Sequence, residues 1–171
     1  DPQIIAGQGT LAIELLDQLP RLDVVYVSIG GGGLISGIGS VLKAFSPKTI
    51  VVGVSAKNSA ELAASIRAGK MVKVDHHETL ADGCAGGVDS DTITLGLGTE
   101  VIDDLIDCSE KQIVSGLQQI AWSEKMLVEG SAGLAYAAWQ EDARKNNNKI
   151  SAVVLCGANF DKETLSPIVN L

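Results

Sequence analysis

The chain has 171 residues, of which 46% are hydrophobic, 4% aromatic and 19 are glycine, and its formal charge is −8. That length makes one domain with a real core, and the acidic balance, with no Lys/Arg cluster, excludes nucleic acid and anionic membranes as partners. No apolar run is long enough to span a membrane and no signal peptide is expected. Cys84, Cys108 and Cys156 are widely spaced without a CxxC, the usage of reduced thiols in a cytoplasmic protein.

The chain opens on Asp1 rather than methionine, and Gly7-Gln8-Gly9-Thr10 leads at once into a helix with no strand before it, so a piece of something longer is expected. Thr10 is expected to cap a helix over residues 10–19, with Leu11, Leu15, Leu16 and Leu19 on one apolar face and Pro20 stopping it. Residues 24–28, an apolar and largely β-branched run, predict a buried parallel strand. Gly30, Gly31, Gly32 and Gly33 follow, and the pattern after them predicts a helix to about Phe45, ended by Ser46-Pro47.

Four glycines strip every side chain from the strand-to-helix turn. The backbone can then wrap closely around a ligand and aim its N–H groups inward at a helix N-terminus, where the macrodipole favours an anion. A tight turn would need only one or two glycines, so the run is read as a phosphate cradle. The dinucleotide fingerprint fails, because its third glycine would fall on Ser36 or Ile35. The P-loop fails too, since Gly69-Lys70 is followed by Met71. Without a loop lysine to hold a triphosphate, a single phosphate monoester held by backbone amides is the better match.

Further along, residues 49–55 predict a second buried strand and residues 59–68 a helix closed by Gly69. Residues 70–90 lack a period, with a run of small residues from Ala81 to Gly87 at their centre; loops that long inside a compact domain are functional or mobile. His76-His77 sits within them, and adjacent side chains on an extended loop point apart, so a solvated pair and no metal is expected. Residues 92–102 predict a helix and residues 104–108 a short strand. Ser109 with Gln112 forms a capping box opening a helix to Met126. A turn at residues 128–133 leads into a helix from about Ala132 to Lys145. Asn146 to Asn148 form a surface turn, and residues 150–156 a last buried strand. Helices alternating with buried strands make an α/β fold, a three-layer, mostly parallel twisted sheet flanked by helices, with ligands at the carboxyl ends of the strands.

In this order the pieces resemble the fold-type II pyridoxal-phosphate enzymes, in the threonine dehydratase and serine racemase branch. IAGQGT at residues 5–10, GGGGLISG at 30–37, VEGSAG at 128–133 and LCGAN at 155–159 carry the resemblance. It implies that the whole chain is a cofactor-binding segment of that family's large domain. Gly30 to Gly33 with Leu34 would hold the 5′-phosphate of pyridoxal 5′-phosphate, Gly83 would lie close to the ring and Glu129 beside it, and Cys156 would meet the pyridine nitrogen. A neutral thiol there cannot hold that nitrogen protonated as an aspartate would, which makes a weaker electron sink and suits β-elimination from serine or threonine to a 2-oxo acid and ammonium.

Two departures accompany the resemblance. The family's Schiff-base lysine belongs N-terminal to these motifs, in a Ser/Asn-x-Phe-Lys context that none of the lysines here has; Lys43, Lys57 and Lys125 are examples. The small domain that grips the substrate carboxylate is missing too, so the segment alone is expected to be inactive. Second, related racemases hold a divalent cation on a glutamate and an aspartate at the positions of Ser55 and Glu61. One carboxylate is gone, so no metal is expected and Glu61 reads as a solvated helix residue. The resemblance further implies a homodimer in the cytoplasm and a small hydroxy-amino acid as substrate. An amino-acid racemase of the same fold, or a non-catalytic anion- or cofactor-binding regulatory domain, are the alternatives.

Overall fold

The computed structural model describes residues 1–142 and 148–170. In chain order the elements are α1 (Pro2–Gln18), β1 (Val24–Ser28), α2 (Gly33–Phe45), β2 (Ile50–Ala56), α3 (Glu61–Ala68), α4 (Ile93–Val101), β3 (Asp104–Cys108), α5 (Glu110–Gln119), α6 (Gly130–Asp142), β4 (Ser151–Val153) and α7 (Lys162–Val169). The four strands pair in the order β3-β2-β1-β4, every neighbour parallel. The expected α/β class is therefore present, with an all-parallel sheet among the described residues.

All five residues of β1 are buried, which places it at the centre of the sheet. The two-residue period of a strand then divides them between two cores. Val24 and Tyr26 face a cluster with Ile113 and Leu117 of α5, Leu134 and Ala138 of α6, and Leu165 and Ile168 of α7. Val25 and Val27 face a second cluster with Ala12 of α1, Ile35, Ile38 and Leu42 of α2, and Leu62 of α3. Burying each such valine contributes about 2 kcal/mol, and two covered faces make the three-layer architecture.

The first helix begins well before residue 10. The Asp1 side chain accepts the Gln3 N–H at 2.7 Å, and Pro2 sits at the first helical position, where a missing N–H costs nothing. Thr10 is an interior residue whose hydroxyl donates to the Gly7 carbonyl at 2.8 Å, so it does not cap. Gly9 of α1 and Gly37 of α2 serve packing. A Cβ on Gly37 would stand 2.2 Å from the Ile5 carbonyl oxygen, and one on Gly9 2.8 Å from Val41 Cγ2, so α1 and α2 cross backbone to backbone.

The capping box at Ser109 and Gln112 forms as expected, but α5 gives way to a π-helical turn at Ile120–Glu124 that ends on Lys125 at φ 59°. The last strand is shorter than residues 150–156, since its pairing to β1 ends at Tyr26 and Val153 and the Gly157 carbonyl beyond it accepts the Glu129 N–H. The helix α7 has no counterpart in the sequence reading, because Pro167 lies within it. The expected helix end at Lys145 and part of the Asn146 to Asn148 turn lie outside the described residues. Among the described residues, no helix is long and apolar enough to cross a membrane.

Candidate functional site

Parallel strands deliver their carboxyl ends to one edge, and the candidate residues collect there. Gly32 takes φ +82°, a left-handed conformation that favours glycine, as the residue before α2. It has no side chain to cap the helix, which leaves the first-turn N–H groups of Gly33 and Leu34 to a ligand. The four glycines divide the labour. A Cβ on Gly32 would stand 2.4 Å from Leu62 Cδ2, and one on Gly30 3.0 Å from Cys84 Cα, so these two press against protein. Gly31 and Gly33 would meet nothing within 4 Å and face open space.

The second wall is a 3₁₀ turn at Asp82–Cys84. It lies against Gly30 through Cys84, and against Glu129 and Ser131 through Gly83. A Cβ on Gly83 would come within 2.9 Å of Ser131 Oγ and 3.3 Å of Glu129 Oε1. Glu129 is half-buried just ahead of α6. Its Oε2 accepts the Asn159 N–H at 2.9 Å, and its own N–H donates to the Gly157 carbonyl at 3.1 Å. A Cβ on Gly157 would lie 2.5 Å from its carboxyl carbon. Glu129 thus stands between Gly83 and Gly157 and ties the chain after β4 to the start of α6. It is a built-in residue rather than a free helix-start carboxylate.

Cys156 is exposed on the loop after β4, yet the protein around its sulfur pushes the thiol up to about 11, burial first, then the Cys84 thiol and Glu129. It is a neutral thiol at physiological pH, able to donate a hydrogen bond. Burial also raises the Cys84 thiol, against a contact from the Ser131 hydroxyl that lowers it. Under both, Ser28 at the end of β1 donates to the Ser131 carbonyl at 2.6 Å. Ser28, Cys84, Ser131 and Asn159 are site residues that sequence reasoning missed. Ser131 and Asn159 lie within the VEGSAG and LCGAN motifs, which gave neither residue a role of its own. A cavity of about 290 Å³ beside Glu129, lined by Leu80, Asp82, Asn159 and Phe160, does not reach the glycine loop, which opens to the surface instead.

Two expectations fail. Glu61 is not solvated: it is 7% exposed, with Oε1 accepting the Val88 N–H at 3.0 Å and Oε2 lying 2.9 Å from His76 Nε2. His76 is accordingly no free loop residue, since its Nδ1 lies 2.8 Å from Ser59 Oγ. A bare loop packed against α3 gains more from these bonds than from two solvated side chains, because they satisfy its own buried N–H groups.

Comparison with known proteins shows the family to which this arrangement belongs. The family described as pyridoxal-phosphate dependent enzyme matches residues 1–157. An L-threonine ammonia-lyase of Thermotoga maritima is 34% identical over 99% of this chain and 42% of its own length. A serine racemase of Schizosaccharomyces pombe is 33% identical over 95% of this chain and 50% of its own length. The processed form of threonine deaminase isoform 2 from Solanum lycopersicum superposes with a TM-score of 0.91 at 28% identity, covering 99% of this chain and 50% of that one. The chain spans about half the length of the curated relatives it matches.

Proposed function

The chain belongs to the pyridoxal-phosphate dependent enzymes, and from that premise we propose that it is the phosphate-binding, large-domain part of a serine/threonine dehydratase. The carrying observation is the glycine loop. Gly30 and Gly32 are fixed against Cys84 and Leu62, while Gly31 and Gly33 face open space at the N-terminus of α2. A phosphomonoester fits there, because N–H groups and the helix dipole favour its charge and no Cβ bars its approach. Gly31, Gly33 and Leu34 would hold the 5′-phosphate, Gly83 and Glu129 would flank the ring, and Cys156 would donate to its nitrogen.

When bound, the cofactor supplies an electron sink for the α-carbon of the amino acid. The chain's own residues set how strong that sink is. Cys156 holds its proton at neutral pH and offers the ring nitrogen a neutral donor. Glu129, fastened by Asn159, keeps its position as the site fills. A neutral partner favours loss of the β-hydroxyl as 2-oxo acid and ammonium form.

The lysine that carries the cofactor and the small domain that grips the substrate carboxylate are proposed to lie outside these residues. Relatives about twice as long support that reading. Lys43 is engaged elsewhere, at 2.6 Å from Asp103. A homodimer and a cytoplasmic location belong to the same proposal. Ile4, Ile13, Phe45 and Ile93 are exposed on α1, α2 and α4, an apolar surface suited to being covered. Similarity to serine racemases keeps racemisation as the second reading.

Borohydride reduction of the cofactor-loaded protein, followed by peptide mapping, tests this. The expected adduct lies on a lysine outside residues 1–171, with 2-oxo acid formed from L-serine or L-threonine. A reduced adduct on one lysine within residues 1–171 together with turnover by this chain alone overturns it.

A further inference from the structure

Away from the glycine loop, Ser59, Glu61 and His76 form a connected polar cluster. Ser59 is 3% exposed and Glu61 7%. Glu61 Oε1 accepts the Val88 N–H, leaving Oε2 for the proton on His76 Nε2. Ser59 Oγ accepts the Gly86 N–H at 3.0 Å and lies 2.8 Å from His76 Nδ1. The His76 imidazole therefore closes a chain running Val88, Glu61, His76, Ser59, Gly86. Asn58 extends it: its carbonyl accepts the His77 N–H at 2.8 Å and its side-chain amide donates to the Glu78 carbonyl at 2.7 Å.

These bonds fall on the segment that carries the Asp82–Cys84 turn. Between Lys70 and Ala81 the segment has no helix or strand to hold it; Ser65 Oγ anchors Val72 at its start, and further anchors come from residues 58–61 and from Glu110, which accepts the Leu80 N–H. The same cluster does not suit a divalent cation. Such an ion needs several oxygen ligands, but both Glu61 oxygens are in use and position 55 offers a hydroxyl. Among the described residues, no group of three or more His, Cys, Asp or Glu side chains could hold a metal.

We infer that the Ser59–His76–Glu61 chain is a metal-independent clasp positioning the Asp82–Cys84 turn against Gly30. His76 is a positioning residue: it acts on the cofactor site through the turn. The inference rests on the pyridoxal-phosphate reading only for what that turn encloses.

Amide hydrogen exchange of the cofactor-free protein, with His76→Ala, His76→Gln and Ser59→Ala variants, tests the clasp. Peptides covering residues 76–88 are expected to exchange about tenfold faster in His76→Ala and in Ser59→Ala, with those of β1 and β2 unchanged. His76→Gln, which keeps a donor for Glu61, is expected to recover part of the protection. Wild-type protection should be the same in excess chelator and in millimolar magnesium. Pyridoxal 5′-phosphate affinity, read by cofactor fluorescence, should drop about tenfold in His76→Ala. Unchanged exchange over 76–88, equal acceleration throughout the protein, or protection lost on chelation overturns the clasp. Faster exchange with unchanged cofactor affinity overturns its positioning role. A wild-type protein that binds no pyridoxal 5′-phosphate but exchanges as expected overturns the functional reading and leaves the clasp standing.

Discussion

The two walls of the site are made in opposite ways. The glycine loop is short, lies between a buried strand and a long helix, and owes its shape to the backbone: a left-handed Gly32, close contacts at Gly30, and a helix end without a capping side chain. The wall facing it hangs on a long stretch without regular structure, held by side chains contributed from elsewhere: Ser59, Glu61, Asn58 and Glu110. A wall made from backbone offers little that a point mutation can remove and is sensitive to anything added. A wall made from side-chain bonds is sensitive to every deletion. The difference separates rigidity that follows from the parallel sheet from rigidity assembled afterwards.

The largest effects should come from adding to the first wall. Gly32→Asp combines a left-handed φ, a clash with Leu62 and an added negative charge within the loop proposed to hold the phosphate. About 3 kcal/mol of stability and at least about a hundredfold in cofactor affinity should be lost, read by thermal melts and cofactor titration. Gly31→Asp sharpens the point, since its side chain enters open space. It should keep stability within about 0.5 kcal/mol while losing a similar share of affinity. Equal affinity in both variants and the parent would dispose of the cradle.

Subtraction from the second wall should cost less. Glu61→Gln keeps the volume but gives one of its two oxygen positions to an amide, leaving either Val88 N–H or His76 without its acceptor. The expected loss is about 2 kcal/mol by denaturant titration, with cofactor affinity reduced less than in Gly31→Asp. A neutral result would show that the segment stands without the clasp.

Acid should act on the second wall alone. The Val88 N–H first, and then the His76 bond, hold the Glu61 carboxyl below its ordinary value. A carboxyl with a lowered folded pKa contributes stability that is complete above the unfolded value and disappears as pH falls through the folded one. The wild-type melting temperature should therefore decline on acidification below the ordinary carboxylate range, and Glu61→Gln should lack that part of the slope. Parallel curves would remove Glu61 from the acid limb.

The smallest effect belongs to Cys156, at the edge shared by both walls. Its thiol, pushed up to about 11, should alkylate slowly at neutral pH and faster as pH rises toward that value. Cys156→Ser should change stability by less than about 0.5 kcal/mol, since a hydroxyl can take the thiol's place. Rapid alkylation at pH 7 would mean that the site does not hold the proton on this sulfur.

Much of this was legible in the residues. The strand β1, the glycine turn and the capping box at Ser109 are coded within a few positions, by hydrophobic period and by residues whose backbone or side chain acts locally. Local signals also misled. Gly7 to Thr10 read as the lead-in to a helix capped by Thr10, although the helix runs through them and Gly9 makes room for α2. Pro167 hid a helix whose Leu165 and Ile168 are buried.

By itself, then, the sequence determined the parallel α/β class, the position of the glycine turn and the order of the motifs, because each depends on periodicity or on a glycine run readable in a short window. Only the tertiary structure decided that Glu61 and His76 are partners, that Glu129 is wedged between Gly83 and Gly157, and that β4 ends before Cys156. Each of those rests on groups brought together across 15 or more residues of chain, as in the His76–Glu61 contact and the Asn159–Glu129 bond. A side chain's burial, proton and partner are properties of what the fold packs around it, and no local pattern encodes them.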